Sequence, residues 1–197
     1  EKSQYVNTLA HAAYKRDVFK KVGGYDERLA RTEDNEIHYR MRQAGFKFSF
    51  NTDIRSFHHA RSSFSKMLRQ KYLNGYWIGL TLGVCPGCFS IYHFAPLFLV
   101  LMMIAGLILG FSISFLPLGI LLGVYFVADI LMSLLSIISD KKFSIKYLSL
   151  PILIFLLHMS YGIGTLWGII KLPFWLSKDE NKKCDKINEV KKYLNNN

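Results

Sequence analysis

The stretch FAPLFLVLMMIAGLILGFSISFLPLGILLGVYFVADILMSLLSII, residues 94–138, decides the class of this protein. It holds two long, predominantly apolar windows, Phe94–Phe115 and Leu118–Ile138, and only Leu116 and Pro117 separate them. Each window exceeds the ~20 residues that an α-helix needs to cross the hydrocarbon core of a bilayer. The sequence therefore predicts two transmembrane helices that are joined as a tight hairpin.

The composition of the chain agrees with a membrane protein. Of its 197 residues 51% are hydrophobic, the mean hydropathy is +0.18, and no charged residue occurs from Tyr72 to Ala128. The 15% aromatic content excludes a disordered chain, and three cysteines are too few to staple a chain of this length. No charged region followed by an apolar stretch lies near Glu1, so we expect no signal peptide.

A third apolar window, Tyr147–Ile170, leaves two paths open. It is uncharged and long enough to span, but Pro151 and three glycines interrupt it, so a re-entrant or interfacial path is possible. Lysine and arginine accumulate on the cytoplasmic side of membranes, which places the basic amino-terminal half inside. The carboxyl-terminal tail is also rich in lysine, and a third full crossing would export it. The charge distribution and the number of candidate spans therefore disagree.

The first half of the chain has a mixed α/β pattern. Helical spacing of apolar residues with glycine stops predicts helices, and alternation of phenylalanine with polar residues predicts a half-buried strand. In chain order the predicted elements are a helix Lys15–Val22, a helix Glu33–Ala44, a strand over 46–50 and a helix from Ser62 to about Asn74. Residues 1–75 are too few for an independent α/β domain, so we expect the rest of that domain to lie upstream.

Two adjacent carboxylates, Glu33 and Asp34, stand at the start of the second predicted helix. A helix N-terminus stabilises negative charge, so these groups stay ionised and can accept a proton from a substrate hydroxyl. Acidic residues are also common in the first turn of a helix for purely structural reasons. The two residues alone leave both roles open.

Several motifs follow one another in this half of the chain: AYKRDVF from Ala13, VGGYDE from Val22, EDNE from Glu33 with Arg40, then Ala44-Gly45, Phe48 and His58. In this order they resemble the carboxy-terminal half of the family 2 glycosyltransferases, and within that family the membrane-attached, succinoglycan-type glucosyltransferases of exopolysaccharide assembly. The resemblance covers about Tyr5 to Trp77. It implies an α/β GT-A-type partial domain followed by α-helical membrane segments.

The resemblance also implies inverting transfer from a nucleotide sugar, and it assigns roles to residues of this chain. Asp34 is implied as the general base that deprotonates the acceptor hydroxyl, with Glu33 beside it. Glycine permits a backbone turn with positive φ, which suits a loop that faces the acceptor, although it also suits a plain helix stop. The residues implied for acceptor binding are Gly23, Gly24, Tyr25 and Asp26.

Residues further along are implied to hold the donor diphosphate and a metal. Arg61, Arg69 and Gln70 would bind the diphosphate, since guanidinium groups bind phosphate oxygens in bidentate fashion, and His58 would ligate a metal. The same cations also fit contact with anionic lipid headgroups. The Arg-Trp of the Gln-x-x-Arg-Trp motif of processive members is missing after Gln70, which favours a single-addition enzyme.

No Asp-x-Asp motif occurs in the chain, and in this family that motif holds the metal and the nucleotide diphosphate. We therefore expect a divalent cation, Mg²⁺ or Mn²⁺, to be bound mainly by residues outside this chain, and the 197 residues alone to be inactive. The predicted organisation is an acceptor-side half of a cytoplasmic GT-A domain (1–77), an interfacial segment (78–93), a transmembrane hairpin (94–138), a third transmembrane or re-entrant helix (147–170) and a basic tail (171–197).

The expected partners are a nucleotide-sugar donor, a lipid-linked or glycan acceptor and the cell membrane. The basic surplus, 25 Lys+Arg against 14 Asp+Glu, accompanies membrane segments without a nucleic-acid-binding motif, so we expect no nucleic acid. The competing class is a non-enzymatic transport or export subunit, in which Asp129 and His158 would carry the function. Cys85 and Cys88 lie in an apolar segment, and we expect them to be buried, reduced thiols.

Overall fold

The structure is a computed structural model that describes residues 4–6, 9, 12–51, 57, 63–140, 145–178 and 185–196. Helices dominate this part of the chain, and its sheet has two strands. The elements are β1 (Gln4–Val6), α1 (Arg16–Val22), α2 (Glu33–Gln43), β2 (Phe48–Phe50), α3 (Phe64–Thr81), α4 (Ala95–Ser112), α5 (Leu116–Asp140), α6 (Leu150–Leu176) and α7 (Lys186–Asn196). Two strands do not define a GT-A domain, so that assignment stays a prediction.

The chain divides into two compact units. The first contains Glu1–Ser62, Trp77–Ser90 and Gly168–Asn197, and the second contains Ser63–Tyr76 and Ile91–Trp167. The boundaries between them fall inside α3 and α6, so each of these two helices contributes residues to both units.

The core of the first unit forms where α1, α2 and β2 bring their apolar faces together. Ile37, Met41 and Phe48 are buried, and Val18 and Phe19 of α1 pack against them. The spacing of Ile37 and Met41 places both side chains on one face of α2, as the sequence predicts. The two predicted helices are confirmed, α1 beginning one residue later and α2 ending one residue earlier than expected.

The two strands pair in antiparallel fashion, with Val6 opposite Phe48 and Gln4 opposite Phe50. The predicted strand is confirmed over a shorter length. Phe48 is buried as the alternation predicts, but Phe50 is 41% exposed because the small sheet leaves its far end uncovered. Phe46 packs against the core from just before the strand.

Helix α3 continues seven residues beyond the predicted end at Asn74, to Thr81. The residues after it include short 3₁₀ turns at Pro86–Cys88 and Ile91–Phe94. A disulfide joins Cys85 and Cys88, so the expectation of reduced thiols is wrong in this structure. The Cα atoms are 5.6 Å apart because the 3₁₀ turn between the cysteines brings them close, within the ordinary range for a disulfide.

Three helical segments are long and apolar enough to cross a membrane: Ile91–Ser112, Leu116–Ser139 and Tyr147–Leu176. The hairpin connection is Ile113–Phe115 rather than Leu116-Pro117, because proline is tolerated in the first turn of a helix and α5 begins at Leu116. α6 continues through its glycines without a break. The prediction of apolar helical membrane segments is therefore confirmed in length and composition.

Candidate functional site

The start of α2 carries the two predicted catalytic carboxylates. Thr32 precedes the helix, but its side chain makes no capping hydrogen bond. Instead the Thr32 hydroxyl lies 2.6 Å from the Thr81 hydroxyl, which itself donates to the carbonyl oxygen of Trp77 at 2.6 Å. The first turn of α2 therefore keeps its backbone N–H groups and their partial positive charge for Glu33 and Asp34.

Glu33 and Asp34 are both half-buried, and their oxygens differ in how they are engaged. Oδ1 of Asp34 accepts a hydrogen bond from the backbone N–H of Asn35 at 2.7 Å. Oε2 of Glu33 is buried and has no hydrogen-bond partner among the described residues. A buried oxygen without a donor is costly, so Glu33 marks a polar position that a ligand could complete.

A histidine one turn along α2 was not identified from the sequence. His38 is fully buried, and its Nε2 lies 2.5 Å from the hydroxyl of Tyr14. The ring of His38 packs against Phe48, with 4.7 Å between the ring centroids. Because His38 follows Asp34 by four residues, the two share one face of α2. That spacing is the sequence signal that could have pointed to His38, whereas its contact with Tyr14, 24 residues away, leaves no local pattern.

Burial and charge keep this pair of side chains uncharged. Burial lowers the pKa of His38, and Arg42 lowers it further, while Asp34 acts in the opposite direction. Burial raises the pKa of Tyr14 to about 12, and Tyr25 and Asp34 add to that rise. In the tautomer that leaves Nε2 unprotonated, a neutral His38 accepts the hydrogen bond that Tyr14 donates. The negative charge of Asp34 therefore acts on both groups, which are held neutral by their surroundings.

The turn after α1 is fixed to α2 by one ion pair. Arg40 pairs with Glu36 through two bonds, Nε to Oε1 at 2.5 Å and Nη2 to Oε2 at 2.7 Å. The same guanidinium donates to the carbonyl oxygens of Val22 at 2.5 Å and Gly24 at 2.7 Å. Because Arg40 binds a carboxylate and two carbonyls at once, it sets the position of the glycine turn relative to Asp34.

The four residues predicted to bind the acceptor occupy different surroundings. Gly23 and Gly24 are buried, and α7 packs against them. Asp26 is 1% exposed, and Arg28 binds its carboxylate through Nε at 2.9 Å and Nη2 at 2.6 Å. Tyr25 is 39% exposed. Of these four residues, Tyr25 presents the most accessible side chain to a ligand.

Of the residues predicted to bind diphosphate and metal, the structure describes Arg69 and Gln70. Arg69 and Gln70 lie near the start of α3 in the second unit, Arg69 exposed and Gln70 half-buried. Arg61 and His58 lie outside the described residues. Within the described ranges, no group of three or more His, Cys, Asp or Glu side chains could hold a metal ion. The described residues therefore do not provide a cation site.

The second unit contains one buried acid. Asp129 of α5 is 5% exposed, and neither of its carboxylate oxygens has a hydrogen-bond partner among the described residues. The Ser133 hydroxyl, one turn further along, is buried and unpartnered as well. His158, which the sequence suggests alongside Asp129 for a transport subunit, is hydrogen-bonded through Nδ1 to the hydroxyl of Tyr125 at 2.8 Å. Tyr125 and His158 line an open, mostly apolar cavity of about 420 Å³.

Comparison with known proteins indicates a broad class of enzyme and no particular family. No protein-family model matches the chain, and no solved structure matches it. Over 168 residues, 85% of this chain, it is 26% identical to a transferase from Methanococcus voltae. The similarity supports a glycosyltransferase at a coarse level, without indicating family 2 or the succinoglycan type.

The relative is named dolichyl N-acetyl-alpha-D-glucosaminyl phosphate 3-beta-D-2,3-diacetamido-2,3-dideoxy-beta-D-glucuronosyltransferase. The match covers 48% of it, so the chain spans about half the length of the curated relative that it matches. The name describes a sugar transferase whose acceptor is a dolichyl-linked sugar phosphate.

Proposed function

We propose that this chain belongs to a membrane-bound glycosyltransferase, which transfers one sugar from a nucleotide-sugar donor to a lipid-linked or glycan acceptor at the cytoplasmic face of the cell membrane. Two features support the proposal: the similarity to a transferase with a dolichyl-linked acceptor, and three helical segments with the length and apolarity of membrane spans. The observation that carries it is the half-buried Asp34 at the uncapped start of α2.

In the proposed reaction Asp34 is the general base. Its carboxylate accepts the proton of the acceptor hydroxyl while the hydroxyl oxygen attacks the anomeric carbon. The new C–O bond forms as the bond from the anomeric carbon to the diphosphate breaks, and the nucleoside diphosphate leaves. Attack opposite the leaving group inverts the configuration of the sugar, in keeping with the proposed GT-A-type, family 2 assignment.

The neighbours of Asp34 suit this task. Neutral His38 and protonated Tyr14 place no cationic ring beside the carboxylate, so no imidazolium neutralises the base. Arg40 is engaged by Glu36 and by two backbone carbonyls, and its guanidinium is held in that position. We assign Tyr25 as the acceptor contact in the loop from Gly23, because it is the loop's exposed aromatic side chain.

The remaining assignments include two residues, Arg61 and His58, that lie outside the described ranges. Glu33 would act beside Asp34, and Arg69 and Gln70 of α3 would contact the diphosphate, together with Arg61. His58 is proposed as a ligand of the divalent cation, most of whose ligands lie outside this chain. The product would enter exopolysaccharide or another cell-surface glycan.

The test uses membranes that contain the full-length protein, supplied with Mg²⁺ or Mn²⁺ and UDP, GDP or dTDP sugars. Sugar incorporated into lipid-extractable product is compared for wild type, Asp34→Asn and the control Asp17→Asn, which changes an exposed acid in the first turn of α1. Loss of a general base lowers rates by roughly 10²–10⁴-fold, so Asp34→Asn should lose incorporation while Asp17→Asn keeps it. Equal incorporation by both variants would remove Asp34 as the base.

The second candidate function is a transport or export subunit, and the buried, unpartnered Asp129 favours it. Ionisable residues inside membrane segments often lie on transport pathways. The same assay separates the two proposals, because Asp129→Asn should leave sugar transfer close to wild type if the chain is a transferase. No incorporation by wild type with any donor, together with loss of glycan export in Asp129→Asn cells, would favour the transport class.

A further inference from the structure

The carboxyl-terminal helix α7 packs directly on the glycine turn that follows α1. A Cβ atom added to Gly23 would lie 2.3 Å from the backbone oxygen of Ile187, and one added to Gly24 would lie 2.9 Å from Cγ2 of Val190. Gly23 also has a φ of +83°, which side-chain-bearing residues rarely adopt. The N–H of Gly24 donates to the Ile187 oxygen at 3.4 Å. Only glycines allow α7 to come this close.

Polar contacts hold both ends of α7 to the same region. Lys186, the first residue of the helix, forms an ion pair with Glu27, just after the glycine turn. Near the other end, Nδ2 of Asn195 donates to the carbonyl oxygen of Lys20 in α1 at 3.1 Å. Because α7 lies on α1 along its length, the tail and the amino-terminal half belong to one compact unit. Two charged helices in direct contact lie on the same side of a membrane, so the chain crosses the membrane an even number of times between α1 and α7.

Within the second unit, charged residues lie beside the middle of α6. The hydroxyl of Ser160, close to the midpoint of the third candidate span, donates to the carbonyl oxygen of Leu68 in α3 at 2.8 Å. Leu68 is flanked by exposed cations, which are Lys66, Arg69 and Lys71. If α6 crossed the ~30 Å hydrocarbon core, these cations would lie near the bilayer centre, where charged side chains are strongly disfavoured.

Contacts with the first turn of α4 also indicate how deep the middle of α6 lies in the bilayer. A Cβ atom added to Gly162 would lie 2.2 Å from the carbonyl oxygen of Pro96, and 2.7 Å from Cγ2 of Val100. Pro96 is the second residue of α4 and the sixth of the candidate span Ile91–Ser112, so it lies nearer to the end of that span than to its middle. The middle of α6 is therefore level with the first part of this span and not with the centre of the bilayer.

We propose that α6 does not cross the membrane, that α4 and α5 are the only complete crossings among the described helices, and that α7 returns on the entry side to bind the glycine turn after α1. This topology accounts for the lysine-rich tail on the same side as the basic amino-terminal half. Where the chain acts as a transferase, α7 is a positioning element for the loop that carries Tyr25. That consequence rests on the proposed function, whereas the topology does not.

The topology is tested by cysteine labelling, which needs no activity. Single reporters at exposed positions are Lys15→Cys before α1, Ser114→Cys between α4 and α5, and Asn188→Cys in α7, each in a protein whose Cys85, Cys88 and Cys184 are replaced by serine. A membrane-impermeant maleimide is added to intact cells and to permeabilised cells. Position 188 should label under the same condition as position 15 and the opposite condition to position 114. Labelling of position 188 together with position 114 would overturn the proposal.

A second measurement examines the contact between α7 and the turn. Gly24→Ala places a methyl group against Val190 and should release α7. The released helix unfolds more readily, so trypsin should cleave after Lys191 and Lys192, which are exposed in either case, several-fold faster. Val190→Ala in the same chain removes the opposing methyl groups and should restore slow cleavage. Gly119→Ala is the matched control, because a Cβ atom there meets nothing within 4 Å. Unchanged cleavage in Gly24→Ala would show that α7 does not bind this turn.

Discussion

Glu36 in the first unit and Asp129 in the second are equally buried acids, each 5% exposed, but their surroundings differ. Glu36 is bound by the guanidinium of Arg40, one turn away on the same helix. Asp129 has no hydrogen-bond partner for either oxygen among the described residues. Glu36 therefore contributes to the packing of the first unit. Asp129 is destabilising in the second unit, because no donor compensates for its burial.

This difference separates structural from functional acids. Asp26 is bound by Arg28 in the same manner as Glu36 by Arg40, so neither carboxylate is free to meet a substrate. In the sequence Asp34 lies between the pairs Asp26–Arg28 and Glu36–Arg40, and it takes part in neither of them. The scaffold acids thus leave Asp34 as the candidate base, and Asp129 as an acid whose role, if any, lies outside folding.

The largest change in the free energy of unfolding is expected when the Glu36–Arg40 ion pair is broken. Arg40→Met leaves a buried carboxylate unpaired and also removes the donor to the carbonyl oxygens of Val22 and Gly24. Loss of one partner of a buried pair costs about 3–5 kcal/mol, and the partial exposure of Arg40 favours the lower end. The measurement is the free energy of unfolding of the detergent-solubilised protein.

The double variant Glu36→Leu with Arg40→Met is the control for that loss. It removes both charges, so it should recover much of the stability, although the two carbonyl oxygens remain without their donor. If the single and double variants were equally unstable, the loss would come from the carbonyl oxygens and not from the unpaired charge. The ion pair would then count for little in holding the glycine turn.

A change of opposite sign is expected at Asp129. Asp129→Leu replaces an unpartnered buried acid by an apolar side chain of similar size, and it should stabilise the protein by roughly 1–3 kcal/mol. Met132→Leu, at an exposed position on the next turn of α5, should change little. The effect of each variant is measured as the shift in the midpoint of thermal unfolding of the protein in detergent. A loss of stability in Asp129→Leu would mean that the acid has a stabilising partner and that the contrast with Glu36 does not hold.

The sequence predicted an element correctly where the residues of that element and its ends carry the signal by themselves. Apolar spacing with a following glycine located α1 and α2 to within one residue, and length with apolarity located the membrane helices. The end of α3 was missed, because Gly75 packs against the backbone oxygen of Tyr161, a contact between residues far apart in the chain. Because glycine has a low helix propensity, Gly75 predicts the end of a helix from the local sequence. The packing of α6 against this position stabilises the helix beyond it.

The candidate site was predictable in part for the same reason. The helix N-terminus that carries Asp34 is a local feature, and the structure contains it. The Tyr14–His38 pair joins residues 24 positions apart, and the docking of α7 on Gly23 joins residues of opposite ends of the chain. Such contacts leave no periodic pattern. The glycines were interpreted as an acceptor loop or a helix stop, and neither interpretation foresaw a helix packed against them.

The smallest expected effect concerns His38, which the first unit buries as a neutral group, in contrast to the charged Glu36. In the unfolded chain His38 titrates near its ordinary pKa of 6.5, and burial lowers the pKa in the folded state, with Arg42 adding to the shift and Asp34 opposing it. Below pH 6.5 the unfolded chain therefore binds a proton that the folded state does not, so the contribution to stability is complete above pH 6.5 and is lost as the pH falls toward the lowered value.

His38→Gln isolates this contribution, because a glutamine oxygen can accept the Tyr14 hydrogen bond but cannot be protonated in this range. Between about pH 7.5 and about pH 5, the free energy of unfolding should fall more steeply for wild type than for His38→Gln. His93→Gln, at an exposed position, should follow wild type. Equal slopes for wild type and His38→Gln would mean that His38 binds a proton over this range to the same extent in the folded and unfolded states. Below pH 6.5 Tyr14 would then not be donating to a neutral ring beside the candidate base.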